Sequence, residues 1–64
     1  MAISIKAARV NAGYTQKQVG ECVGKSKGTI ASYESYTTQP DIKTAQAMAV
    51  LFSMNLDDII WTQA

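Results

Sequence analysis

The sequence predicts an all-α fold, a compact bundle of about five short helices around a central helix–turn–helix unit. Three observations carry the prediction. Apolar residues recur at spacings of three and four within short segments. Cap-type residues and glycines punctuate those segments. No stretch alternates steadily between apolar and polar, and no Asn-Gly or Asp-Gly hairpin turn is present.

The first helix is capped by Ser4, turns Ile5, Ala8 and Ala12 inward, and ends at Gly13. "TQKQ" then matches a capping box. The Thr15 hydroxyl accepts from the Gln18 amide, and the Gln18 side chain returns to Thr15. The second helix runs from Gln16 to Val23 with Val19, Cys22 and Val23 on the buried side, and Gly24 stops it. Ser26 opens the third helix, which ends near Glu34 or Ser35. "SYTTQP" reads as a polar loop, and Pro40-Asp41 starts a fourth helix. Its core stripe is Ile42, Ala45, Met48, Ala49 and Phe52, leaving Val50 and Leu51 to one side. Asn55 is expected to cap a short fifth helix with Asp57 and Asp58 in its first turn and Leu56, Ile59 and Ile60 inward. Tyr14 and Met54 read as core.

Composition narrows the function. Sixty-four residues, 47% hydrophobic and 17% charged, make a single small globular domain spanning 1–64. The chain has no histidine and one cysteine, Cys22, which excludes an internal disulfide and argues against a zinc site. Cys22 reads as a small packing residue. No apolar run approaches the roughly 18 residues of a membrane span, and the start lacks signal-peptide character, so the chain is expected in the cytoplasm. Without a histidine, a convergent carboxylate pair or a glycine-rich phosphate loop, enzyme chemistry is not expected. No metal, cofactor or small-molecule ligand is expected either. Charge is divided: residues 1–33 carry five cations against Glu21, whereas residues 34–64 carry Lys43 against four acids. A basic end of this kind attracts phosphate.

The segment "KSKGTIASYE" is an odd way to begin a helix. Gly28 lies in the first turn, where glycine costs roughly 1 kcal/mol against alanine, and Lys25 and Lys27 oppose the macrodipole. The preceding segment explains the arrangement. Two helices of similar length are joined by a turn led by Gly24. Gly20 faces the third helix, and Val19, Val23, Ile30 and Tyr33 form the wedge between them. A helix–turn–helix motif thus spans about 16–35.

At this point "RVNAGYTQKQVGECVGKSKGTIASYE", with a proline six residues later and "MAVLFSMNLDDII" beyond, resembles the phage-repressor and Cro helix–turn–helix family, also called the xenobiotic-response-element type. The resemblance covers about Ile5 to Ile60. It implies a structural ion pair between Arg9 and Glu34, and a recognition helix over about 26–34 that enters the DNA major groove. On that helix Lys27, Gly28, Ala31 and Ser32 would meet base edges, with Lys27 and Ser32 able to hydrogen bond. Gln16 and Lys17 at the start of the second helix, Lys25, Ser26 and Thr29 around the third, and Tyr36 and Thr37 in the loop would face the phosphate backbone.

The chain departs from the family in two places. Lys25 stands where an aliphatic residue is usual. Ser35-Tyr36 replace the usual Arg or Asn followed by glycine, which points to a strained Tyr36 or an altered loop. The loop brings hydroxyls instead of cations, which implies modest affinity and a shallow salt dependence.

The resemblance further implies a homodimer on a palindromic DNA site, paired through Leu51, Met54, Ile59, Ile60 and Trp61. The expected function is therefore sequence-specific binding of double-stranded DNA by a repressor-like regulator in a bacterial or phage-infected cell. The alternative is a protein-interaction module of the same fold, such as a regulator or antitoxin subunit, with weak or no DNA binding.

Overall fold

Each of the four α-helices starts on a side-chain cap. In the computed structural model, which describes residues 1–63, the elements are β1 (Ile3–Ser4), α1 (Ile5–Ala12), α2 (Gln16–Val23), α3 (Lys27–Glu34), α4 (Ile42–Leu51), a 3₁₀ turn (Leu56–Asp58) and β2 (Ile59–Ile60). Ser4 Oγ accepts from the Ala7 amide at 3.0 Å, Ser26 Oγ from the Thr29 amide at 3.1 Å, and Asp41 Oδ1 from the Thr44 amide at 2.9 Å. The predicted capping box is complete: the Gln18 amide donates to Thr15 Oγ1 at 3.1 Å, and the Thr15 amide donates to Gln18 Oε1 at 2.9 Å.

The four helices also share one kind of ending. After each, an amide reaches back five residues to a carbonyl: Tyr14 to Arg9, Lys25 to Gly20, Thr37 to Ser32 and Met54 to Ala49. Such a closure needs a left-handed residue just before the donor. Gly13 (φ 82°) and Gly24 (φ 74°) supply it after α1 and α2. Tyr36 (φ 61°) and Ser53 (φ 57°) supply it after α3 and α4, where a side chain makes the conformation costly. The strain anticipated at Tyr36 is present.

The core gathers at the centre of the helices. Ile5, Val19, Ile30 and Met48 are fully buried, joined by Ala8, Tyr33, Ala49, Phe52 and Ile59. Tyr14 is half-buried and packs its ring against Phe52, with centroids 6.4 Å apart. Two residues expected on the buried faces of α2 and α4 are outside the core. Cys22 is exposed, because the buried line of α2 runs through Val19, Gly20 and Val23, and at about 100° per residue Cys22 falls well to its side. Ile42 is 65% exposed, because α4 buries Thr44, Ala45, Met48 and Ala49, which leaves its first residue at the margin.

The fifth helix is shorter than expected. Leu56–Asp58 form one 3₁₀ turn whose leading Asn55 makes no side-chain cap bond, and Ile59 is extended at φ −119°, ψ 134°. The β-branched pair Ile59-Ile60 favours that state. It places Ile59 in the core at 4% exposure and turns Ile60 outward at 40%. The inward placement expected of Ile60 is thus corrected. β2 pairs in parallel with β1, Ile3 opposite Ile59 and Ser4 opposite Ile60. Four α-helices still make the protein an all-α domain.

Candidate nucleic-acid interface

The geometry of the α2–turn–α3 unit is set at Gly20. A Cβ added there would lie 2.6 Å from the Lys25 carbonyl oxygen and 3.3 Å from the Ser26 carbonyl carbon. The Lys25 amide donates to the Gly20 carbonyl at 2.8 Å. The close approach thus falls on the turn that leads into α3, one step earlier than the helix-to-helix contact read from the sequence. Ser26 then caps α3, and its hydroxyl shares a 2.9 Å hydrogen bond with Thr29 Oγ1.

On the surface this assembles, Lys17, Lys25, Ser26, Lys27 and Gly28 are exposed, and Thr29, Ala31 and Ser32 are half-buried. Gly28 has an ordinary helical φ, and its nearest prospective neighbour is Ser26 Oγ at 3.9 Å. No internal contact or backbone conformation requires a glycine there. Beside this surface, Lys25 and Lys43 act on Asp41. Its carboxyl lies below the ordinary 3.8, first through hydrogen bonding from the Thr44 side chain, then from the Thr44 amide, with the two lysine charges as lesser causes.

Glu34 has no free charge to offer a partner. Its Oε2 accepts from Arg9 Nε at 2.5 Å, and its Oε1 from Arg9 Nη2 at 3.3 Å and from Gln16 Nε2 at 3.1 Å. Arg9 Nη1 donates to the Tyr14 carbonyl at 2.8 Å. With side-chain exposures of 12% and 5%, the Arg9–Glu34 pair is largely desolvated and bolts α1 to the end of α3. The amide of Gln16, a residue expected to contact phosphate or to support a base-reading residue, leans on this ion pair and ties the start of α2 to the end of α3.

The loop after α3 is cross-linked by hydroxyls. Ser35 Oγ donates to the Ser32 carbonyl at 3.1 Å and pairs with Thr37 Oγ1 at 2.9 Å. Thr37 and Thr38 are exposed. The Tyr36 ring turns away from them onto the core, and its hydroxyl donates to the Ile60 carbonyl at 2.7 Å and accepts from the Ile5 amide at 3.4 Å. The phenol read as a backbone contact is therefore engaged with the protein's own backbone at Ile5 and Ile60.

The apolar residues assigned to pairing divide. Leu51, Met54 and Trp61 are half-buried and Ile60 is exposed, whereas Ile59 is core and available to no partner without opening the strand pair. Val50, set beside the core stripe in the sequence, is 78% exposed, but sequence reasoning missed its outward companion Ile42, 65% exposed and two turns earlier on α4. Their spacing of eight was the available signal, masked by assigning Ile42 to the core stripe. Ile42 also lines an open cleft of about 340 Å³ with Pro40, Ala45, Leu56, Asp57 and Trp61, whose indole N–H donates to the Leu56 carbonyl at 3.0 Å. Among the described residues no group of three or more His, Cys, Asp or Glu converges on a metal position, and no helix is long and apolar enough to cross a membrane.

Comparison with known proteins agrees with this geometry. Residues 5–59 match the family model described as helix–turn–helix, of the Cro/C1 type. The chain is similar to the uncharacterized HTH-type transcriptional regulator YgzD of Bacillus subtilis (strain 168), with 32% identity over 59 residues that cover 92% of this chain and 89% of the relative. No solved structure matches significantly.

Proposed function

Because the chain belongs to the Cro/C1-type helix–turn–helix family, we propose that it is a transcriptional regulator that binds double-stranded DNA sequence-specifically through α3, as a repressor. The observation that carries this reading is the surface at the start of α3. Three exposed lysines, Lys17, Lys25 and Lys27, flank an exposed glycine that nothing inside the protein requires. The cations disfavoured by the helix dipole become favourable against phosphate, and Gly28 lets the backbone approach the groove floor. Lys27 and Ser32 read bases, and Gly28 and Ala31 pass close to them. Lys17, Lys25, Ser26, Thr29 and Thr37 hold the phosphate backbone, and Gln16 supports them through Glu34. Tyr36 drops out of the contact set.

A homodimer on a palindromic site places two α3 helices one turn apart. Its interface is drawn here through Leu51, Met54, Ile60 and Trp61, without Ile59. The exposed Ile42 and Val50 also favour a second reading, a protein-interaction module with little DNA binding.

One experiment separates them. Repeated selection from a random duplex pool should enrich a palindromic sequence, and sedimentation with that duplex should show two chains per site. Absence of enrichment at low salt would refute DNA binding. A single chain per site would refute only the dimer.

A further inference from the structure

We propose that Tyr36 is a positioning residue for the DNA surface: its hydroxyl clasps the two ends of the chain and thereby holds the loop after α3 in the shape that presents Thr37 and Thr38. This rests on the DNA-binding reading above.

The clasp sits where the strand pair runs out. Ile3 and Ser4 lie opposite Ile59 and Ile60, and beyond that register β1 becomes α1. The Ile5 amide opens α1 and has no partner within the helix, as is general for the first amides of a helix. The Ile60 carbonyl lies beside it. Tyr36 Oη occupies the gap, accepting from Ile5 at 3.4 Å and donating to Ile60 at 2.7 Å across 31 and 24 residues of chain. A phenol can do both at once, and a phenyl ring can do neither.

The same residue sets the loop. At φ 61° Tyr36 allows the Thr37 amide to close on the Ser32 carbonyl at 3.0 Å. Glycine would adopt this φ freely, whereas tyrosine persists there only if its surroundings hold it. The ring on the core and the two hydroxyl bonds are that hold. The orientation of Thr37, and its bond to Ser35, therefore depends on a contact with the chain ends.

The experiment compares the full chain with Tyr36→Phe, Thr37→Ala and their double variant. Binding to the selected duplex is measured where circular dichroism shows every variant folded, and amide exchange is followed at Ile5 and across residues 35–38. In Tyr36→Phe, exchange at Ile5 and the loop should accelerate by about tenfold, and affinity should fall about threefold to tenfold, the weight of one ordinary hydrogen bond. Thr37→Ala should weaken binding in the natural chain and add nothing to Tyr36→Phe.

Tyr36→Asn, which tolerates the left-handed backbone unaided but cannot reach Ile60, should speed exchange at Ile5 as Tyr36→Phe does while sparing more of the loop, and it serves if the latter does not fold. Unchanged affinity in a folded Tyr36→Phe, or an undiminished Thr37→Ala effect within it, would reduce Tyr36 to a stability role and overturn the proposal. If the natural chain bound no duplex, the DNA reading would fail, and unchanged exchange would separately dispose of the clasp.

Discussion

Gly20→Ala tests the packing that aims α3. At an ordinary helical glycine this change stabilises by up to about 1 kcal/mol, because alanine is the better helix former. Gly20 lies in the middle of α2, so helix propensity taken alone would favour the change. The structure predicts the opposite sign. The new methyl would fall 2.6 Å from the Lys25 carbonyl oxygen, closer than real Cβ atoms approach anything, and the obstacle is backbone. Relief requires the turn to move away from α2, which strains the Lys25-to-Gly20 hydrogen bond at 2.8 Å and the start of α3. Overpacking of this kind costs about 1–3 kcal/mol and outweighs the propensity gain. A domain of this size has roughly 3–10 kcal/mol of stability in all, so the loss is easily read from urea midpoints. Because the displaced turn carries Lys25 and Ser26, duplex affinity should fall beyond the loss of folded protein. A Gly20→Ala variant more stable than the natural chain would refute this account of the unit.

Gly28→Ala should behave in reverse: with only Ser26 Oγ at 3.9 Å to meet, it should gain up to about 1 kcal/mol in denaturant titrations while duplex affinity falls. Arg9→Ala strands the Glu34 carboxylate, 5% exposed, with Gln16 alone, and should cost about 3–5 kcal/mol, leaving much of the chain unfolded by circular dichroism. Arg9→Lys should recover little, since an ammonium cannot serve both Glu34 oxygens and the Tyr14 carbonyl with that geometry. Lys27→Glu should weaken duplex binding by about tenfold or more and flatten its salt dependence by about one unit of slope without loss of helicity; unaltered affinity would remove Lys27 from the interface. The Asp41 carboxyl titrates lower in the folded chain than unfolded, so its contribution is full above 3.8 and fades as pH falls through the folded value. Acid titration of Asp41→Asn should therefore show a shallower loss of stability than the natural chain over that range.

Caps and glycines made the first half of the chain legible. Ser4, Thr15 with Gln18, Ser26 and Asp41 sit at the helix starts read from sequence, and Gly13 and Gly24 end the helices they were expected to end. These signals are local, so a sequence displays them directly. The Arg9–Glu34 pair was reached by resemblance, since nothing in spacing alone joins residues 25 apart. What escaped reading was decided by tertiary contacts. The strand pair is too short to show a period, and Ile59 extends because Ile3 awaits it. Ser53 takes a conformation that sequence reserves for glycine, with no departure from the family to announce it as Ser35-Tyr36 announced the strain at Tyr36. Cys22 and Ile42 were misplaced for a geometric reason. A helix of eight or ten residues has few turns from which to fix the buried direction, so a residue at the edge of the stripe falls either way.

The pairing of Ile3 with Ile59 has a kinetic consequence. The two ends of the fold meet across almost the whole chain, and both flank the fully buried Ile5. Local helices can form while the chain is still being synthesised, but the core stays open on one side until residues 59 and 60 have left the ribosome. The domain is thus completed in one late step, and a chain stopped a few residues short keeps all of α3 yet lacks the strand that closes it. Shortening from the C-terminal side should therefore loosen the fold as Trp61 and Ile60 are lost and abolish it at Ile59.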